Sequence, residues 1–338
     1  MFNGLVQRAL GQVSVFADAT DPDGEGSRRL VKIGLEQPYR ALRVARSFRE
    51  SHRANPFQLV ISNGVCGWPL SVRDPGVPMV QVYHFTMAGL ARTALSTRAD
   101  RFATGRVYGF FDRLASRGKH VVAVSDSVQS EVETYYRTSA RVIPNAVDTT
   151  LFRKLDRARA RDALRLPQDA TLGLFVGRPD YSKGFDILLE VAEAMREVTF
   201  AVAGRCPPTP DNVVSVGPVP HSQMPLCYSA ADFFFLPSRY EGFNLSILEA
   251  LSCNLPIVVS EAAYPFADEP DPFGWVARSL QPRDFVKGIR HVLKEHARYA
   301  PRDRIVARFS YEVFERNWRA LARAVIDGTR FQDAVPGP

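Results

Sequence analysis

Two acidic residues, Glu241 and Glu249, stand in the stretch SRYEGFNLSILEAL (238–251) with seven residues between them. The apolar run Phe233-Phe234-Phe235-Leu236 precedes them, and Pro237 and Gly242 mark a turn. The pattern therefore reads as strand, turn and then a helix beginning near Asn244. A helix start presents free N–H groups and the positive end of its dipole, which suits an anion such as phosphate. Glu249 lies five residues into that helix, about 7.5 Å along its axis. One carboxylate at the mouth and one on the flank are far enough apart to hold hydroxyls at opposite ends of a diphosphate. A surface helix with two solvated glutamates fits these two residues as well.

A second stretch, LFVGRPDYSKGFDILLEVAEAM (174–195), repeats the arrangement: a strand over 172–176, a turn through Gly177, and a helix from about Gly184. Arg178 and Lys183 lie just before the helix start, where the dipole disfavours cations. A bound anion gives them a purpose, because Arg grips two phosphate oxygens and Lys adds a mobile point charge. The competing reading is two exposed basic residues in a polar turn.

The elements that must position these residues follow from hydrophobic patterning. Short β-rich runs at Val13–Phe16, Leu30–Ile33, Phe57–Ile61, Met79–Tyr83, His120–Val124 and Arg141–Ile143 form one series. Leu172–Val176, Phe200–Ala203, Val213–Val216, Phe233–Leu236 and Ile257–Val259 form another. Amphipathic segments such as 184–196 and 284–296 alternate with them, which predicts an α/β fold with two doubly wound parallel sheets. A length of 338 residues agrees with two domains. The seam is expected in 145–170, giving domains of 1–150 and 151–309, a last helix over 310–328 begun by Ser310, and a tail of 329–338.

Composition narrows the functional classes. No stretch approaches the eighteen apolar residues of a membrane span, and nothing at the N-terminus directs the chain out of the cytosol. Cys66, Cys206, Cys227 and Cys253 stand singly, so buried reduced thiols are expected rather than disulfides or zinc. The net charge is +7, and residues 1–150 carry most of it, with 19 Lys and Arg against 13 Asp and Glu. Such a field suits nucleic acid, an anionic membrane or an acidic substrate. The basic–aromatic interleaving of base-stacking platforms is lacking, which argues against nucleic acid. A nicotinamide dehydrogenase would carry a GxGxxG turn, and none is present.

Four motifs in order carry a resemblance to a known family. Glu241-Gly242-Phe243 with Glu249-Ala250-Leu251, Gly177-Arg178 with Lys183-Gly184, VIPNAVDTTLF (142–152) and LPIVVS (255–260) together resemble the retaining GT-B glycosyltransferases of the large family four. The match runs from about residue 79 to 327. It implies two facing Rossmann-like domains, a last helix crossing back to the first, and transfer of a sugar from a nucleotide-sugar donor to a hydroxyl acceptor without a bound metal or other cofactor. By the same resemblance, Glu249 holds the ribose hydroxyls. Glu241, with the backbone of Gly242, Phe243 and Asn244, meets the transferred sugar, Arg178 and Lys183 hold the diphosphate, and Gly177 and Leu245 complete the donor site. The acceptor attacks the face the phosphate leaves, and the phosphate takes the proton. His84, in VQVYHFT, matches a position where the family presents a His to the donor sugar. Ser62-Asn63-Gly64 and Ser125-Asp126 are weaker acceptor candidates.

Two departures stand out. The family opens with a strand and a glycine-rich loop, whereas this chain begins with what resembles the helix after that loop, so a catalytically silent sugar-nucleotide-binding or scaffold relative is the alternative. In SEAAYPFADEP (260–270), Ala262-Ala263 stand where paired glycines are usual. Epimerases and phosphorylases of the same fold explain the two glutamates less well. Finally, PYRALRVARSFRESHRA (38–54) reads as a helix with Arg40, Arg43, Arg46, Arg49 and Arg53 on one face and Leu42, Ala45 and Phe48 on an adjoining stripe. That pattern predicts either an ordinary solvated face or peripheral docking on an anionic membrane that carries a lipid-linked acceptor.

Overall fold

The computed structural model describes residues 2–11, 36–266 and 273–329. The chain divides into two compact units, Met1–Asn145 with Phe314–Pro338, and Ala146–Val313. Each is built on its own parallel sheet, the α/β arrangement the patterning predicts.

In the first unit β1 (Val60–Asn63), β2 (Met79–Tyr83), β3 (His120–Ala123) and β4 (Arg141–Val142) pair in sequence order. Every residue of β2 is buried, as expected of an inner parallel strand covered on both faces. The expected strands Val13–Phe16 and Leu30–Ile33 lie outside the described residues. The expected strand Phe57–Ile61 begins later, at Val60, because Phe57 instead packs its ring on Phe48 at 5.9 Å. The first helix, Phe2–Leu10, is tied to the last, Tyr311–Ile326: Arg319 Nε donates to the Ala9 carbonyl at 2.7 Å, and Arg8 Nε pairs with Glu315 at 3.2 Å.

The helix Glu36–Ala54 corrects one expectation. Its buried stripe is Pro38, Ala41, Ala45 and Phe48, and Leu42 is 45% exposed rather than part of that stripe. The arginines do not form a uniform outward row. Arg40 pairs with Glu36 at 3.3 Å and Arg46 with Glu50 at 2.9 Å, both one helical turn away, while Arg49 folds over to donate to the carbonyls of Pro69 (3.0 Å) and Arg73 (3.5 Å). Spacing displayed the positive charges, but the partners that neutralise or redirect them lie one turn or some twenty residues away.

In the second unit β5 (Thr171–Val176), β6 (Val198–Ala203), β7 (Val213–Gly217), β8 (Phe233–Leu236), β9 (Ile257–Ser260) and β10 (Gly274–Ala277) form an all-parallel sheet of order β10-β9-β8-β5-β6-β7. Strand β10 was not legible in the sequence, being four residues long and opened by Gly274. That glycine has a φ of +157°, and a Cβ on it would collide with the Ile257 carbonyl. Gly173 of β5 lies opposite Phe233 and leaves room for its ring. The four apolar side chains of β8 are fully enclosed, which makes β8 and β5 the rigid centre of the sheet.

The sheet order contains a switch point. From β5 the chain winds outward through β6 and β7, then returns to lay β8 on the other side of β5 and winds outward again through β9 and β10. At such a point the loops leaving two neighbouring strands diverge, and a ligand fits between them at the carboxyl ends. Those loops are 177–184 and 237–244, the two stretches singled out in the sequence.

Candidate functional site

Both loops run into helices that begin where the sequence predicts. Asn244 caps the helix Leu245–Ser252, its Oδ1 accepting the Ile247 N–H at 3.3 Å, and Gly184 precedes the helix Phe185–Ala194 in the left-handed conformation, φ +69°. Glycine is required at 184 twice over. The backbone angle favours it, and a Cβ would collide with the Pro237 carbonyl. The two loops therefore touch backbone to backbone.

Around that contact the side chains interlock. Lys183 Nζ lies 2.6 Å from Glu241 Oε1, and the Ser238 hydroxyl donates to the same oxygen at 2.7 Å. Gly177 (φ +155°) lies against the Lys183 side chain. Arg178 is not gathered in: its side chain is 80% exposed and its Nε sits 3.3 Å from Asp180 Oδ2. Asp180 in turn accepts the Ser182 hydroxyl (2.6 Å) and the Lys183 N–H (3.1 Å), which fixes the turn that carries Lys183. Burial opposes ionisation of Asp180, but these hydrogen bonds and the neighbouring cations hold its carboxyl below the ordinary value.

Sequence reasoning missed the residue that clamps the two loops. Arg239 makes a two-pronged contact with Asp186 at 2.8 and 2.7 Å, donates to the Tyr181 carbonyl at 2.6 Å, and lies 3.7 Å over the Tyr181 ring. Its backbone N–H also donates to the Ser182 carbonyl at 2.8 Å. An Arg in one turn and an Asp in the first turn of the helix that follows the other, Phe185–Ala194, were the available signal. Arg239→Ala should lower the melting temperature by a few degrees and weaken ligand binding together, since about 1–3 kcal/mol of charged hydrogen bonding is lost. Melts with and without ligand check both effects.

Glu249 departs from the open flank expected of it. It is 6% exposed on a helix whose residues 247–252 are all buried. Oε2 accepts the Tyr228 hydroxyl at 2.6 Å, and Oε1 lies 3.1 Å from His221 Nε2. Burial raises its carboxyl above the ordinary value, and the two hydrogen bonds pull against that shift. His221 is half exposed and meets Phe152 edge to face at 5.1 Å. Any ligand reaching Glu249 therefore approaches on the Oε1 side, beside His221. Phe243 is buried between Phe266 and Phe309, so it offers backbone rather than its ring.

In the first unit the structure brings together His84, just past β2, and Asn63, at the end of β1: His84 Nε2 is 3.1 Å from Asn63 Oδ1. Ser62 is spent internally on Gln81, and Ser125 caps the helix Asp126–Glu131 by accepting the Val128 N–H at 3.3 Å. Beneath these turns Asp112 is enclosed. Its Oδ2 accepts the Met87 N–H (3.1 Å) and the Tyr136 hydroxyl (2.6 Å), while Oδ1 has no partner among the described residues.

Burial pushes the Asp112 carboxyl up to about 7 and the His84 imidazole down to about 4. The two act in opposite directions on stability. Between pH 6.5 and 4 the unfolded chain protonates His84 and the folded one does not, so the stability His84 contributes is full above 6.5 and lost as pH falls. Asp112 holds its proton longer when folded, so its contribution is full at low pH and lost as pH rises through 7. Asp112→Asn removes only the second, and its melting temperature should fall more steeply than the wild type's as pH drops from 6.5 toward 4. A pH series of melts checks this.

Among the described residues no helix is long and apolar enough to cross a membrane, and no group of three or more His, Cys, Asp and Glu is placed to hold a metal ion.

Comparison with known proteins bears on this geometry. The family profile described as Glycosyl transferases group 1 matches residues 170–295, and that of Glycosyltransferase Family 4 matches residues 3–151. The chain thus carries a glycosyltransferase family 4 domain followed by a glycosyltransferase group 1 domain. A D-inositol 3-phosphate glycosyltransferase of Segniliparus rotundus is 30% identical over 301 residues, covering 79% of this chain and 65% of that protein. The chain spans between about half and two thirds of the length of the first curated relatives it matches. Among solved structures, sucrose-phosphate synthase of Thermosynechococcus elongatus has a TM-score of 0.79 at 21% identity, covering 93% of this chain and 83% of that one. HepE of Anabaena in complex with UDP-glucose has a TM-score of 0.66 at 17% identity, covering 81% and 80%. These likenesses establish the GT-B fold of the chain.

Proposed function

We propose that the chain transfers a sugar from a nucleoside-diphosphate sugar to a hydroxyl acceptor, with retention at the anomeric carbon. The observation that carries this reading is the Lys183–Glu241 pair, held between two helix starts at the switch point of the second unit's sheet. In this reading the diphosphate takes Lys183 and the backbone N–H groups at the start of the helix Leu245–Ser252. The sugar takes Glu241 and the backbone of Gly242, Phe243 and Asn244, and the ribose takes Glu249. Arg178, which is exposed and close to the Gly177 turn, swings onto the diphosphate once it is bound.

The reaction is a displacement at the anomeric carbon. Its bond to the phosphate oxygen breaks, and the electron pair stays with that oxygen. The acceptor oxygen forms the new bond on the same face and gives its proton to the departing phosphate. Negative charge on the diphosphate grows along this path, so the Lys183 ammonium stabilises the transition state more than the bound donor. His84 stays neutral at ordinary pH, so in the first unit it offers an uncharged imidazole that can hydrogen-bond a hydroxyl.

The names of the relatives suggest a phosphorylated cyclitol as the acceptor. The test is incubation with UDP-, GDP- and ADP-sugars and D-inositol 3-phosphate, with NMR of the product's anomeric coupling. An α-linked product from an α-donor is expected. A β-linked product contradicts retention, and nucleotide binding with no product from any acceptor favours the silent relative.

A further inference from the structure

The expected basic face on Glu36–Ala54 is largely paired off, but another surface of the first unit carries arginines that have no ion pair among the described residues. Residues 98–115 run as one helical stretch: an α segment Arg98–Phe102, a π turn Ala103–Tyr108 and an α segment Gly109–Ala115. From 103 to 117 the only exposed residues are Arg106, Phe110, Arg113 and Arg117, and Arg98 and Phe102 continue the same spacing of three or four backward. Through Arg113 residues so spaced share one face of the helical stretch, and Arg117 continues the row in the turn just after it. The result is a row of Arg98, Phe102, Arg106, Phe110, Arg113 and Arg117.

Phe102 is 66% and Phe110 60% exposed, so both leave most of a large ring in water. Phe110 is backed edge to face by Phe111 at 5.4 Å, and Phe111 packs on Trp68 at 5.0 Å, which holds the Phe110 ring outward. Among the described residues none of the four arginines of the row has an ion pair, in contrast to Arg40 and Arg46. Within 98–117 the acids are Asp100, which accepts the Thr97 hydroxyl at 2.6 Å, and the enclosed Asp112.

We propose that this row is a docking face for an anionic lipid bilayer surface. Charge complementarity fixes the sign of the partner, and the two rings fix its second property, an apolar layer just beneath the charge. Aromatic rings settle at that boundary, and arginines there extend to the headgroups while their stems stay apolar. A purely hydrophilic polyanion would leave both rings in water. A second copy of the chain would bring four unpaired arginines against four more. The π turn contributes geometrically: its wider winding offsets the drift that a repeat of four has on an α-helix, so that 102, 106 and 110 stay aligned.

The inference is independent of the transferase reading, because it needs neither donor nor acceptor. Full-length protein is sedimented with vesicles of phosphatidylcholine containing phosphatidylglycerol, and with phosphatidylcholine alone. The expected result is binding to the anionic vesicles at low salt, release at high salt, and none to the neutral ones. Phe102→Ser with Phe110→Ser should lower vesicle affinity by about tenfold, and Gln at Arg98, Arg106, Arg113 and Arg117 should abolish binding, with sugar-nucleotide binding unchanged in both. If the double variant folds poorly, Phe102→Ser alone, at the more exposed ring, carries the same test. No sedimentation of the wild type overturns the proposal. So does binding that neither variant weakens, or binding that the arginine variant loses and the phenylalanine variant keeps, which is the behaviour of a plain polyanion site.

Discussion

Lys183→Ala should reduce turnover by about 10²–10³-fold while leaving donor affinity within a few fold, the size expected when a fixed charge aimed at a developing oxyanion is removed. The reason lies in when the charge is needed. Lys183 already holds the Glu241 carboxylate at 2.6 Å before any ligand arrives, so binding a diphosphate exchanges one anionic partner for a shared pair and gains little. As the sugar–phosphate bond breaks, the leaving oxygen becomes more negative than either ground-state partner, and the ammonium responds to that increase. Alanine also leaves Glu241, mostly buried, with Ser238 as its remaining partner among the described residues, so some stability is lost alongside the turnover. Lys183→Arg should recover part of the loss. Steady-state kinetics separate the effects: unchanged turnover with only a raised Michaelis constant would mean that Lys183 binds the donor without assisting the chemistry.

Glu249→Gln should weaken donor binding by about 1.5–3 kcal/mol, the range for a hydrogen bond to a charged group, while the fold stays intact. The amide keeps the shape of the carboxylate, so its oxygen can still accept from Tyr228 and its other end can still face His221. What it loses is the charge that ribose hydroxyls would donate to. Glu249→Ala is a different experiment. It leaves the buried Tyr228 hydroxyl without its partner and opens a void inside an enclosed helix, so stability falls as well. Calorimetry with the Gln variant reads binding, and melts of the two variants separate binding from folding. Equal affinity of the Gln variant and the wild type would remove Glu249 from the ribose.

Much of the local structure around these residues is legible from neighbouring residue types. Asn244 before an apolar helix and Gly184 before another announce two helix starts, because an Asx cap and a left-handed glycine are local devices. The apolar run Phe233–Leu236 announces an inner strand for the same reason. Residues that depend on distant partners are not legible. Nothing near Glu249 announces that Tyr228 and His221, more than twenty residues earlier, enclose it. Arg239 and Asp186 lie 53 residues apart and meet only because β5 and β8 become neighbours. The arginines of 38–54 mislead in the same way, since periodicity records where a charge sits on a helix and not which carboxylate or carbonyl it reaches. The row from Arg98 to Arg117 escaped notice because a π turn breaks the α-helical period on which pattern reading depends.

The central claim is that the second unit holds a nucleoside-diphosphate sugar on Lys183, Glu241 and Glu249, and thermal melts against a panel of UDP-, GDP- and ADP-sugars test it most directly. At a hundred times its dissociation constant, a ligand of the folded state alone adds about 2.7 kcal/mol of stability. The account predicts that at least one sugar nucleotide raises the wild-type melting temperature accordingly, and that Glu249→Gln loses most of the shift. No shift with any member of the panel, or a shift that survives unchanged in Glu249→Gln and in a Lys183→Ala, Glu241→Gln double variant, would contradict it.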